Sequence, residues 1–162
     1  GDVPPCDGPW AGFVKQLNMK KRDSYIIAID FDGTCVTHEF PRVGADIGAV
    51  PVLKALTDAG HKLILFTMRS DVETPTSADP DIHPVGGQYL TDAVNWFHAN
   101  GIPLWGIQTN PEQSSWTHSP KAYAQLYIDD AALGCPLIYK SGSRPYVDWV
   151  AVYRMLNEMG LI

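Results

Sequence analysis

The chain has 162 residues, 45% of them hydrophobic and 19% charged, with a formal net charge of −6. That is the length of one domain. It is too apolar for a disordered chain, and its acidic balance argues against a broad nucleic-acid or anionic-lipid surface. No apolar run approaches the ~18 residues of a membrane span. The three cysteines, Cys6, Cys35 and Cys135, are too few and too odd a set for a disulfide scaffold, and the start of the chain carries no charged segment followed by an apolar one. Together these lead to the expectation of a cytoplasmic protein.

Met19-Lys20-Lys21 reads like a translation start. Residues 1–18 are therefore read as an N-terminal extension or a remnant of tag removal, or else as a native arm that packs Trp10 and Phe13 on the domain at 19–162.

Residues 25–29 form a continuous apolar run ending in Asp30, and 62–66 form a second ending in Thr67. A weaker run at 104–107 precedes Gln108, a fourth at 125–128 ends in Asp129-Asp130, and 136–139 offers a fifth. Short runs without alternation fit strands buried on both faces of a parallel sheet. Val52, Leu53, Leu56 and Ala59 share a helical face over 49–59, which Gly60 stops and whose first turn accommodates Pro51. Leu90, Ala93, Val94 and Phe97 do the same over 89–100, before Gly101. Trp149, Val152, Tyr153 and Leu156 recur over 145–159, a helix that Pro145 opens and Gly160 closes. A short helix is expected between the third and fourth runs. The alternation predicts an α/β domain, a three-layer Rossmann-like parallel sheet with helices on both faces. The segment 69–87 is longer than an ordinary strand–helix connection and is a candidate functional loop.

In open α/β sheets, ligands bind outside the carboxyl ends of the strands. The polar residues that terminate the apolar runs therefore carry the functional signal. Asp30 and Asp32 stand two apart on an extended chain and point the same way. Asp129 and Asp130 end the fourth run, and a parallel sheet gathers all four carboxylates near one edge. Like charges ~4 Å apart repel by about 4 kcal/mol at an effective dielectric of about 20. A single aspartate after a strand is ordinarily a turn cap. Two pairs, each directly after an apolar run, require a cation, and oxygen ligands with open positions suit Mg²⁺.

Asp30-Phe31-Asp32-Gly33-Thr34 resembles the first motif (DxDGT) of the haloacid dehalogenase superfamily of phosphatases. Thr67 resembles its second motif, Lys121 its third and Asp129-Asp130 its fourth. With Pro41, Gly44, His61 and Arg69, the pattern is similar to a small group of cap-less bacterial and phage members. The resemblance implies that 19–162 is one catalytic domain of that fold, without a cap domain, that hydrolyses a phosphomonoester through an aspartyl-phosphate with Mg²⁺ as cofactor. It implies Asp30 as the nucleophile. Asp32 would protonate the leaving oxygen and then activate water. Asp30, Asp129 and the Asp32 carbonyl would bind the metal, and Asp130 would hold metal-bound water or Lys121. Thr67 and Lys121 would contact the phosphoryl group, with Gly33 and Thr34 counted beside them. Arg69, just past Thr67, is a rival phosphate ligand with a suitable guanidinium fork. Elementary chemistry agrees with these roles, since a carboxylate attacks an anionic phosphate only if cations offset the repulsion.

His38 follows the first motif, where the family has a small flap; it is read as a surface histidine, with substrate contact as the alternative. His83 and His118 are read the same way, and His61 and His98, at helix ends, as structural. Trp105 and Trp116 are read as packing residues or pocket walls, and Cys35 as a buried thiol. P-loop, GxGxxG, paired CxxC and cysteine-phosphatase patterns are missing from the sequence. An open site takes a large phosphorylated substrate or is closed by a partner subunit, which makes a homo-oligomer an expectation. Two rivals stand beside the phosphatase. One is a polynucleotide 3′-phosphatase or nucleotidase on the same scaffold. The other is a non-catalytic receiver-like module that binds phosphate and Mg²⁺, in which Asp32 has no task.

Overall fold

The structure, a computed structural model, describes residues 24–72 and 86–162. The segment 1–18, His83 and most of the 69–87 loop lie outside the described residues. Along the chain run β1 (Ile26–Ile29), α1 (Ala49–Asp58), β2 (Lys62–Leu65), β3 (Asp71–Val72), β4 (Gly87–Gln88), α2 (Tyr89–Ala99), β5 (Gly106–Ile107), a 3-10 turn (Gln113–Ser115), β6 (Leu126–Ile128), β7 (Leu137–Ile138), β8 (Tyr146–Val147) and α3 (Trp149–Glu158).

The apolar runs become strands because both of their faces are covered. Ile27, Ala28 and Ile29 on β1, and Leu63, Ile64 and Leu65 on β2, are all buried, which is the burial that a parallel strand requires. The four-stranded sheet has the order β5-β2-β1-β6, and every pairing in it is parallel. The domain is thus α/β with a Rossmann-like parallel sheet. No helix among the described residues is long and apolar enough to cross a membrane.

The distribution of helices differs from the expected two-sided arrangement. Ile27, Ile29, Leu63 and Leu65 form one core cluster with Val52, Leu53 and Leu56 of α1, Ala93 and Phe97 of α2, and Val152 and Leu156 of α3. The right-handed rule for β-α-β crossovers puts α1 and α2 on the same face, since β1, β2 and β5 step across the sheet in one direction. Helix α3 packs against α1. The opposite face, with Ala28 and Ile64, is covered by the connection from β5 to β6. Gly106 leaves no room there for a side chain, because Pro111 and Ile64 close on it. That connection is irregular: it contains Pro111 and Pro120 and only the 3-10 turn, where a short α-helix is expected. Buried Gln113 satisfies its backbone, donating to the carbonyls of Ser119 and Lys121 (3.0 Å each) and accepting from the Tyr123 N–H (2.7 Å).

Two further expectations are corrected. The fifth apolar run does not extend the parallel sheet; β7 pairs antiparallel with β8 in a separate hairpin. As a result α3 starts at Trp149 rather than at Pro145, because Tyr146 and Val147 are taken by the hairpin. Asp148 caps the helix, its carboxylate accepting from the Ala151 N–H at 3.2 Å. His61 has the structural role expected of it, buried between the Tyr25 N–H (2.9 Å) and the Leu161 carbonyl (2.8 Å).

Trp149 ties α3 to the turn after β1: its indole N–H donates to the Thr34 carbonyl at 2.7 Å, with both residues buried. Trp149→Phe keeps the packing and orphans that carbonyl, a loss of about 1–3 kcal/mol. A lower urea midpoint with an unchanged slope is the expected result, and an unchanged midpoint would contradict it.

Candidate functional site

The site is built by strand register. The Asp30 N–H donates to the Ile128 carbonyl (3.0 Å), and the Phe66 N–H donates to the Ile29 carbonyl (2.8 Å). Asp30 therefore leaves β1 beside Asp129-Asp130 on one side and Phe66-Thr67 on the other. The chain steps outward from β1 through β2 to β5, then returns to β6 on the far side of β1. The crevice between the carboxyl ends of β1 and β6 is the topological switch point, where open α/β sheets bind ligands.

Three carboxylates converge there. Asp30, Asp129 and Asp130 each present one oxygen, all within 4.8 Å of one another, and each side chain is half-buried. At that spacing each pair repels by about 3–4 kcal/mol at an effective dielectric of about 20. Burial pushes the Asp30 carboxyl up to about 7, and the neighbouring Asp129 charge pushes in the same direction. The Thr34 hydroxyl and the Phe31 backbone N–H oppose them. That hydroxyl donates to Asp30 Oδ2 at 2.8 Å and accepts from the Asp130 N–H at 3.1 Å. Among the described residues no lysine or arginine pairs with the three carboxylates; the cationic candidate in contact is His38, whose Nε2 lies 2.9 Å from Asp130 Oδ2. A set of oxygen donors with unbalanced charge fits a hard metal ion, and Asp30, Asp129 and Asp130 could hold one.

His38 is thus part of the site rather than a surface histidine. Gly33 makes room for it. Gly33 has φ +77°, and a Cβ there would fall within 2.7 Å of the Asp130 carboxylate and closer still to the His38 ring. Glycine is required on both counts, the left-handed backbone and the close approach. Thr34 meets the acids through its hydroxyl, as above. Cys35 is a buried thiol that burial pushes well above its ordinary pKa.

The Asp32 side chain lies outside this group. Both of its oxygens are held by Arg69: Nε donates to Oδ2 at 2.7 Å and Nη2 to Oδ1 at 2.8 Å. Arg69 is 2% exposed, so it stands behind the site and does not project into it. Thr67 sits at the end of β2, its hydroxyl accepting from the Arg69 N–H at 3.1 Å. The Gln108 side chain grips the Thr67 backbone, Oε1 accepting from the N–H (2.9 Å) and Nε2 donating to the carbonyl (2.6 Å). Lys121 is not brought into the cluster. It is exposed in a non-helical loop, with its ammonium over the Tyr127 ring at 5.6 Å, and pairs with no described carboxylate. Trp116 and His118 are exposed in the same loop, whereas Trp105 is half-buried under the Lys62 ammonium.

Sequence reasoning passed over Gln108 and underrated His38. The rule that identified Asp30, Thr67 and Asp129, a polar residue directly after an apolar run, also applies to Gln108. No comparable sequence signal marked His38, whose place depends on the turn at Gly33.

No protein-family model matches the chain, and no curated protein matches it. A solved structure of a conserved protein from Bacteroides thetaiotaomicron is similar, with 33% sequence identity and a TM-score of 0.59 over 83% of this chain and 91% of that one. The chain belongs to the family of that conserved protein. The kinship establishes fold and relationship.

A carboxyl raised to about 7 from 3.8 keeps its proton in the folded protein at pH values where the unfolded chain has lost it. Stability of the cation-free protein therefore falls as pH rises between those values. Thermal midpoints in a chelator are expected to drop between about pH 4 and about pH 7 for the wild type and to drop less for Asp30→Asn. Equal slopes for the two proteins would contradict the assignment.

Proposed function

We propose that the protein is a Mg²⁺-dependent phosphohydrolase that acts on a phosphomonoester, with Asp30 as the attacking group. The carrying observation is the convergence of Asp30, Asp129 and Asp130 at the switch point, with no lysine or arginine among the described residues paired with them. The order of motifs from Asp30 through Thr67 to Asp129, which resembles the haloacid dehalogenase phosphatases, supports the same reading.

Asp30 leaves the central strand with its carboxylate at the open end of the sheet, where it can attack phosphorus in line with the leaving oxygen. The resulting aspartyl-phosphate splits hydrolysis into two easier displacements. A Mg²⁺ ion held by Asp30, Asp129 and Asp130 would supply the charge that lets an anionic carboxylate approach an anionic phosphate. Thr67, fixed at the end of β2 by Gln108, offers its hydroxyl to the phosphoryl oxygens. Asp32 takes the second carboxylate role. Arg69 occupies one lone pair on each of its oxygens; a proton carried on one of the remaining lone pairs would pass to the leaving oxygen, and the carboxylate so formed would then take a proton from the attacking water. Phosphoryl charge neutralisation by Lys121 would require its ammonium to leave the Tyr127 ring for the site. We read the turn that follows Asp32 as a short flap rather than a cap domain, an arrangement that would suit a sizeable phosphorylated substrate.

Hydrolysis of p-nitrophenyl phosphate tests the reading. Turnover that requires Mg²⁺ and falls by at least ~10³-fold in Asp30→Asn is expected, as for loss of a covalent nucleophile. Turnover that survives in Asp30→Asn would contradict the assignment of the nucleophile. Mg²⁺ binding without hydrolysis of any phosphomonoester would favour a binding module.

A further inference from the structure

The Arg69 guanidinium carries five N–H groups, and each has an acceptor inside the protein. Nε and one Nη2 hydrogen take the Asp32 carboxylate. The other Nη2 hydrogen goes to the Arg42 carbonyl (2.7 Å). The Nη1 hydrogens go to the carbonyls of Tyr89 (3.2 Å) and Pro41 (3.4 Å). The guanidinium also lies over two rings, 5.0 Å from the Phe31 centroid and 5.2 Å from that of Phe40. A phosphate ligand needs free donors turned to solvent, and Arg69 has neither free donors nor exposure.

Its neighbour on the next strand is held as closely. Gln108 adopts φ 63°, the one non-glycine residue among those described with positive φ. A glutamine in that region is uncommon and costs backbone energy. In that conformation its amide reaches the turn that follows β2 and makes three hydrogen bonds, two with the Thr67 backbone and one with the Arg69 carbonyl (3.0 Å). Gln108 thus fixes the 67–69 turn, and Arg69 carries that position to Asp32, to the flap at 41–42 and to the start of α2.

We propose that Gln108 and Arg69 form a positioning relay, and that Arg69 orients Asp32 and the flap without touching the phosphoryl group. The relay deepens the phosphohydrolase reading and rests on it for its kinetic consequence. The geometric half of the claim, that Arg69 is committed internally, stands apart from activity.

Two readouts test it. The first is the Arg69 Nε–H signal in ¹⁵N NMR. It is expected to exchange slowly in the free protein, to stay in place when inorganic phosphate and Mg²⁺ are added, and to move in Gln108→Gly. A signal that slows only when phosphate is present would make Arg69 a phosphate ligand and overturn the proposal. The second is the kinetics of Arg69→Lys and Gln108→Gly on p-nitrophenyl phosphate, with inorganic phosphate as competitor. Gln108→Gly relieves the positive φ and so keeps the fold if Arg69→Lys does not. For the variants that fold, kcat is expected to fall ~10–100-fold, the scale of a misplaced reacting group, with inhibition by phosphate changed by less than ~3-fold. A ~10-fold loss of phosphate inhibition at unchanged kcat would overturn the relay. So would a lower unfolding midpoint with kcat per folded molecule unchanged, which would make both residues merely structural. If the wild type hydrolyses no phosphomonoester, the phosphohydrolase reading fails, and the NMR signal still decides where Arg69 is committed.

Discussion

The hydrogen-bonded register of β1 between β2 and β6 is the constraint on which the rest of the molecule depends. Ile29 is pinned opposite Leu65 and Ile128, so the next residue on each strand has to emerge at the same height. Those next residues are Asp30, Phe66 and Asp129. Parallel strands buried on both faces cannot slip without moving apolar side chains into water or leaving backbone groups unpaired. Burial of Ile27 and Ile29 on β1 and of Ile128 on β6 thereby holds the carboxylates together against their mutual repulsion.

The four aspartates at this edge are treated in two ways. Asp32 has an internal counter-ion in Arg69, complete to the last hydrogen-bond donor. Asp30 accepts from the Thr34 hydroxyl, Asp129 accepts from the Ala131 N–H, and Asp130 is in contact with His38. Among the described residues the charge balance of one acid is closed, and that of the other three is met by no lysine or arginine. An open balance of this kind is costly in the free protein and useful only when something cationic enters, which is why the proposed chemistry is placed there. Gly33 serves both arrangements, since its left-handed turn brings His38 and Asp130 into contact while the chain carries Asp32 back toward Arg69.

Much of this was legible from the sequence, for definite reasons. The strands at 26–29, 62–65 and 126–128 stood out because full burial removes polar alternation, and α1 and α2 because Gly60 and Gly101 stop them. Asp30, Thr67 and Asp129 were legible because the residue that ends a buried strand is placed by the fold itself. What escaped depends on contacts distant in sequence. The one-sided distribution of helices follows from a β5–β6 connection that covers a sheet face without helical periodicity. The late start of α3 follows from a hairpin whose partner strands are two residues long. Arg69 was legible as a cation near the site and not as a satisfied one, because its acceptors come from three separate segments. Gln108 escaped because a glutamine with positive φ carries no local signature.

The central claim is that Asp30 is the atom donor to phosphorus. Acid quenching of the protein during turnover of a phosphomonoester, followed by borohydride reduction and peptide mass spectrometry, tests it most directly, since an acyl phosphate is reduced to the alcohol whereas free carboxylates are not. The account predicts that Asp30 is recovered in part as homoserine, and that this product is lost when Mg²⁺ is withheld. Steady turnover with Asp30 unmodified, or with the reduced residue at Asp32, Asp129 or Asp130, would contradict it.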